Sequence, residues 1–302
     1  MDLKSKIILI YGPTASGKSK FGIKLAKKIN GEIINADSMQ IYKELKILSA
    51  RPFKKDYQKI KHHLYGFVSA KKIFSTGHWL KYANQKILEI KKRKKVPILV
   101  GGTGLYFKAL TDGLVNIPNI PIKFRNKVRN LHKKIGAKKF FLELIKLDPL
   151  AKKKINPLDS QRAIRAYEIK SFTKKSMYDF FKNTKSLYQQ EDFYKIFINF
   201  PRDELVKKID YRSKEMIKKG LISEVKRFKK LKVSKKMTAS KAIGINEVSS
   251  YLDKKILITE LIDKISIKTR QYAKRQMTWG RGHMREWIKI ESNSLNKFLK
   301  KI

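Results

Sequence analysis

The octapeptide Gly12-Pro13-Thr14-Ala15-Ser16-Gly17-Lys18-Ser19 fits the spacing G-x-x-x-x-G-K-[ST]. Its glycines let backbone N–H groups converge on a phosphate oxygen, and a following helix start adds positive potential. Lys18 offers a point charge to a terminal phosphate, and the Ser19 hydroxyl is a ligand for Mg²⁺. The competing reading is a glycine turn with no ligand. The complete octamer favours diphosphate, and more weakly ATP as the nucleotide bound.

A second chemical candidate is Asp37, in Asn35-Ala36-Asp37-Ser38-Met39-Gln40. A carboxylate beside a phosphate loop can hold Mg²⁺ or act as a general base. Equally, Asp37 or Ser38 can cap a helix beginning at Met39. Thr103, in Gly101-Gly102-Thr103-Gly104, can donate its hydroxyl to an anion lying between two glycine loops, or sit in an ordinary turn. His62 and His63 are adjacent and point apart, which argues against a shared metal. Arg162 and Arg165 share a helix face, suited to phosphate and equally to solvent. Residues 269–276 mix cations, amides and Tyr272, a composition that fits backbone and stacking contacts to RNA.

These residues need elements to position them. Apolar runs at 6–10, 32–35 and 96–100 read as buried parallel strands. Phe21, Leu25 and Ile29 recur at helical spacing after the first, and Leu105, Phe107 and Leu110 after the third. Alternating strands and helices predict an α/β parallel sheet with ligands at the carboxyl ends of its strands. The pattern breaks near residues 116–121, and a basic helical stretch carries Arg125, Arg129, Lys133, Lys134, Lys138 and Lys139. A strand at 195–200, stopped by Pro201, restores the earlier style. The expected organisation is a core of residues 1–118 and 195–302 with a helical insertion at 119–194, and helices from Arg202 to the end.

The 302 residues include 72 Lys plus Arg against 25 Asp plus Glu, a net charge of +47, and no cysteine. Disulfides, thiolate metal sites and cysteine nucleophiles are thereby excluded. No apolar run is long enough to cross a bilayer, and neither a leader segment nor a membrane partner is expected, giving a cytoplasmic protein. The charge permits a polyanionic partner such as nucleic acid. Abundant Lys, Ile and Asn also fit compositional bias, so the charge alone proves no such partner.

Together the segments GPTASGKS, NADSMQIY, Ser49-Ala50-Arg51-Pro52, ILVGGTGLYFKAL, DSQRAIRAYEI, KKGLISEV, KAIGINEVSSYL and TRQYAKRQMTW resemble one family, the tRNA dimethylallyltransferases or tRNA isopentenyltransferases (IPP transferases). They run in family order from residue 12 to 279. The resemblance implies a P-loop, kinase-like α/β core with an inserted helical domain. It also implies transfer of a dimethylallyl group from dimethylallyl diphosphate to N6 of the adenosine 3′ of the anticodon, in tRNAs reading codons that begin with U. By this resemblance Asp37 is the general base and Thr103 steadies the bridging oxygen. Residues 12–19 and Arg212 bind diphosphate, with Mg²⁺ on Ser19. The anticodon stem-loop would meet Asp37, Ser38, Met39, Gln40, Thr103, Arg125, Gln161, Arg162, Ala163, Ile164, Arg165, Lys241 and Gly244, together with Lys274, Arg275 and Gln276. No protein partner is evident, and a monomer is expected.

The departures are Ser19 where many relatives have Thr, and Tyr65-Gly66 where many carry Ile-Asp. Three other readings share some of these features: a nucleotide or small-molecule kinase, a prenyltransferase of free adenine nucleotides, and a non-enzymatic RNA-binding protein. Against a kinase stand the absence of an evident arginine-rich lid motif in this sequence and the presence of GGTGLY. The RNA-facing segments at the end of the chain favour tRNA over free nucleotides. An intact phosphate loop with Asp37 and Thr103 counts against a protein that only binds RNA.

Overall fold

Runs of Ile, Leu and Val that are apolar at every position must be covered on both faces. In the computed structural model, which describes residues 3–182 and 184–302, such runs form the centre of one parallel sheet. Its strands are β1 (Ile7–Tyr11), β2 (Gly31–Asn35), β3 (His62–His63), β4 (Val96–Gly101), β5 (Phe193–Asn199) and β6 (Ile288–Glu291), in the order β3-β2-β4-β1-β5-β6. The four predicted strands form within two residues of the expected bounds. The two edge strands were not foreseen: β3 is too short to show a pattern, and β6 interrupts a region expected to be helical.

Alternate residues of β1 serve different layers. Ile7, Leu9 and Tyr11 join Trp79, Phe107 and Phe197 on one face, while Ile8 and Ile10 join Leu25, Ile98 and Ile196 on the other. The first layer comes from α2 (Thr76–Lys92), α3 (Gly104–Thr111) and α11 (Ile258–His283), and the second from α1 (Lys18–Lys28) and α12 (Leu295–Lys301). Helix α8 (Arg202–Lys218) packs on Phe200 and Ala273, while α9 (Leu221–Lys230) and α10 (Ile245–Leu252) pack on Tyr42 and Leu45. Among the described residues no helix is long and apolar enough to cross a membrane.

The chain divides into one compact unit of residues 1–111 and 188–302 and another of residues 112–187. Both junctions fall seven residues before the expected 119 and 195. Tyr188 packs edge-on to Phe193 and joins the sheet's core, so the stretch before β5 already belongs to the first unit. The second unit holds α4 (Ile122–Leu147), broken at Gly136, followed by α5 (Ala151–Lys154), α6 (Ser160–Thr173) and α7 (Met177–Lys182). Phe140, Leu144, Ala163, Ala166 and Ile169 form its own apolar core.

The chain runs from β1 across to β2 and returns through β4, which lies between them. The loops after β1, β4 and β2 therefore open side by side at the carboxyl ends of neighbouring strands. They are joined by backbone: Ala36 N–H donates to Val100 O at 2.9 Å, and Thr103 N–H donates to Ala36 O at 3.2 Å. A Cβ on Gly101 would stand 2.0 Å from Ala36 O, so glycine is what allows the two loops to touch. Gly101→Ala should lower the unfolding free energy by about 3 kcal/mol or more, at the upper end of overpacking costs. Denaturant unfolding of the variant measures this, and a change below about 1 kcal/mol would show that the loops part easily.

Candidate active site

The glycine loop of residues 12–17 leads into α1 with Ala15 at φ 65° and Gly17 at φ 81°. Those left-handed turns direct the loop's amides inward. No side chain caps the start of α1 and its first turn holds no acid, so its positive end is left for an outside anion. Among the described residues Ser16 Oγ is buried without a hydrogen-bond partner, and Lys18 Nζ donates to Pro13 O at 3.0 Å. Burial pulls the Lys18 ammonium from its usual 10.5 down to about 8, Asp37 opposing this and Arg212 adding to it. Arg212, from α8, donates to Thr14 Oγ1 at 2.6 Å, and burial lowers it to about 10 against the pull of Asp37. A buried lysine, a partly buried arginine, an orphaned hydroxyl and an uncapped helix start are the donor set of a diphosphate cradle.

Asp37 does not cap a helix, because the segment after it forms turns. Its Oδ1 accepts from Met39 N at 2.9 Å and Gln40 N at 3.4 Å, while Asn35 brackets the backbone on either side. The carboxylate is thus fixed through one oxygen in a short Asx turn. Thr103 stands at the start of α3, where its Oγ1 accepts from Ser38 N at 2.9 Å and lies 3.3 Å from Ser38 Oγ. The Tyr272 phenol stands beside these groups, and burial, with the Asp37 charge adding to it, keeps it far from ionising.

A cavity of about 300 Å³ opens beside these groups. Thr14, Asp37, Ser38 and Arg212 meet there with Lys241, Thr269, Tyr272 and Arg275. Leu48, Met216, Ala242, Ile243 and Ile265 give it an apolar wall. Asp37 is the only acid among its lining residues. The loop of residues 45–51 along its rim is fixed by Glu224, whose carboxylate accepts from the amides of Lys46, Ile47 and Leu48 at 3.0, 2.8 and 2.8 Å. Sequence reasoning carried Glu224 only inside a motif, since a carboxylate that caps a loop distant in sequence leaves no local signal.

Several expected contact residues have other occupations. Gln276 is buried, with both ends of its amide engaged by the backbone of the two glycine loops, so it is turned to the protein interior. Gly244 has φ 108° at the start of α10 and gives its N–H to Glu247, which makes it a turn residue. Gln40 donates to Ser49 O and Ala50 O, while Lys274 is exposed. Within the second unit, Ala163 lies in the apolar core and Ile164 packs against it. Gln161 is exposed, and Arg162 is exposed beside Asp159 at 3.3 Å. Arg125, Arg129 and Arg165 converge on the buried Glu168 at 3.2, 3.5 and 3.2 Å. Three half-exposed guanidiniums around one carboxylate leave a local surplus of positive charge. His62 and His63 turn to Ile60 O and Glu32 respectively, so they share no ligand.

Parallel strands ending in glycine loops around an anion cradle place the protein among the phosphate-loop α/β proteins. Within that class, the sequence model described as IPP transferase matches residues 40–283. A relative from Pelagibacter ubique (strain HTCC1062), named tRNA dimethylallyltransferase, is 58% identical over all of this chain and 96% of its own length. One of the same name from Rickettsia massiliae (strain Mtu5) is 45% identical over 98% of this chain and 82% of its own. Among solved structures, a eukaryotic dimethylallyltransferase acting on tRNA superposes with a TM-score of 0.82 at 28% identity, covering 95% of this chain and 74% of that one. A tRNA isopentenylpyrophosphate transferase from Staphylococcus epidermidis gives 0.69 at 31%, covering 98% and 96%. The chain belongs to the IPP transferase family, and it is a transferase of the kind named tRNA dimethylallyltransferase.

The lowered Lys18 gives the cradle a measurable pH dependence. Below pH 8 the ammonium is charged whether the cradle is empty or filled. Above it, the empty cradle has lost the proton and a bound diphosphate must recover it. Affinity for a diphosphate ester should therefore fall as pH rises from 8 towards 10, approaching about tenfold per unit, with proton uptake on binding. Calorimetry in buffers of different ionisation heat measures the uptake, which Lys18→Met should abolish; equal uptake in both proteins would assign it to another group.

Proposed function

We propose that the protein transfers a dimethylallyl group from dimethylallyl diphosphate to N6 of the adenosine 3′ of the anticodon, in tRNAs reading codons that begin with U. The observation that carries this reading is that Thr14 and Arg212 of the anion cradle, one acid and an apolar wall line a single cavity. A kinase site needs a polar acceptor pocket beside its phosphates, whereas here Leu48, Met216 and Ile265 suit a five-carbon alkenyl tail.

In this reading residues 12–19 and Arg212 bind the diphosphate, and Thr103 donates to the oxygen that bridges it to the allylic carbon. The N6 nitrogen attacks that carbon, the C–O bond breaks, and diphosphate leaves with the bonding pair. The N6 proton passes to the free oxygen of Asp37. Charge grows on the leaving group as the bond lengthens, so fixed donors there act on the transition state. The adenine amine is a weak nucleophile, and a placed carboxylate adds about 10²–10⁴ in rate.

Among the described residues no three His, Asp or Glu side chains gather as metal ligands. A Mg²⁺ ion here would therefore be held by Ser19 and by phosphate oxygens, the ordinary manner for this hard cation. When bound, it would neutralise charge on the departing diphosphate. Lys241 and Arg275, at the cavity, would meet RNA phosphates, as would Arg125, Arg162 and Arg165 on the second unit. Unstacking the target base costs roughly a few kcal/mol, which phosphate contacts offset. One chain supplies the cradle, the acid and the apolar wall, which supports action as a monomer on tRNA; a cytoplasmic location goes with that substrate.

Intact-mass analysis of an unmodified anticodon stem-loop, incubated with protein, Mg²⁺ and dimethylallyl diphosphate, tests the reading. A gain of one C5H8 unit, lost when the target adenosine is replaced, is expected. Asp37→Asn should slow the gain by at least about 10²-fold while stem-loop affinity stays within about threefold. Consumption of ATP with small acceptors, and no mass gain on several stem-loops, would replace the reading with a kinase.

A further inference from the structure

Gln276 occupies the seam between the two glycine loops. Its Oε1 accepts from Thr14 N at 2.8 Å, and its Nε2 donates to Gly102 O at 2.8 Å. One planar amide thus joins the loop after β1 to the loop after β4. Its own carbonyl accepts from the buried Tyr11 hydroxyl at 2.7 Å, which fixes the helix turn that carries it. A Cβ at Gly102 would stand 2.0 Å from Gln276 Nε2 and 3.1 Å from Gly12 O, so the loops and the amide are in direct contact. One helical turn further, a Cβ at Gly280 would stand 2.8 Å from Phe197 and 3.0 Å from Tyr11. That close approach of α11 to the sheet lets a side chain as short as glutamine reach both loops.

We propose that Gln276 is a positioning residue that sets the spacing between the diphosphate cradle and Thr103 with its neighbour Asp37. Resting on the prenyl-transfer reading above, the inference gives this residue a role in aligning the leaving group with the base, separate from any contact with RNA. Thr14 carries both the amide bound by Gln276 and the hydroxyl bound by Arg212, so it transmits the amide's placement to the cradle. On the other side, Gly102 directly precedes Thr103. A shift of about 1 Å between reacting groups costs on the order of 10²-fold in rate.

Gln276→Met keeps the volume and loses both hydrogen bonds. It should lower kcat by about 10²-fold while the KM values for dimethylallyl diphosphate and stem-loop change by less than about threefold. Gln276→Glu supplies the second arm. Its protonated carboxyl can donate to Gly102 O and accept from Thr14 N–H, whereas the carboxylate repels Gly102 O. The ratio of its kcat to that of the wild type should therefore rise as pH falls, a trend that general loosening of the fold does not produce. A normal kcat in Gln276→Met, or a loss confined to stem-loop affinity, or a ratio independent of pH, would overturn the inference. An unmodified protein that transfers no prenyl group would overturn the reading beneath it instead.

Discussion

Two backbone hydrogen bonds at Ala36, one donated to Val100 O and one accepted from Thr103 N, fix the distance between the acid and the second glycine loop. Neither needs a side chain. The adjacent strands β2 and β4 end at the same level, and Gly101 lets their loops touch. Asp37 follows Ala36 directly, and Thr103 Oγ1 then accepts from the N–H of Ser38. The position of the carboxylate is thus a consequence of sheet register, with one short turn added. A site placed in this way is as rigid as the sheet, which is where a base and a leaving-group donor must be held for aligned displacement.

Electrostatics follow from the same geometry. The chain carries +47, yet the charges that matter at the cavity are few. Lys18 and Arg212 are both pulled below their usual values by burial, and Asp37 is the charge that opposes this in each case. Before any anion arrives, that carboxylate partly neutralises the cradle. In the proposed reaction a bound diphosphate would take over this role and free Asp37 to act on the acceptor. The acid would thus serve the empty site as counter-ion and the filled one as base, with its hydrogen bonds to Met39 and Gln40 retained.

The phosphate loop, the central strands and the order of the motifs were legible in the sequence because each is local. Eight consecutive residues define the loop, and runs such as Ile7-Ile8-Leu9-Ile10 admit few alternatives to a covered strand. The edge strands, the exact junctions of the insertion and the role of Glu224 were not legible. Each depends on partners far away in the chain: β6 pairs with β5 across some ninety residues, and Glu224 caps amides at 46–48. Asp37 looked equally able to cap a helix, and only the irregular backbone after it removes that alternative. Gly244 shows the same limit, since a motif match cannot tell a glycine that a ligand approaches from one that a turn requires.

Arg275 and Gln276 put that limit in its sharpest form. They are neighbours in a single motif, but on a helix adjacent residues point about 100° apart, so one reaches the cavity and the other the seam between the loops. A segment such as TRQYAKRQMTW can therefore be constrained by two different demands, one towards a ligand and one towards the architecture behind it. Thr269, Tyr272 and Arg275, three residues apart, hold the first face; Gln276 and Gly280, four apart, hold the second. Closing the site thus waits on α11, near the far end of the chain, although β1, β2 and β4 all lie within the first 101 residues. The loops near the start of the chain carry Thr14, Asp37 and Thr103, and the late helix joins two of them through Gln276.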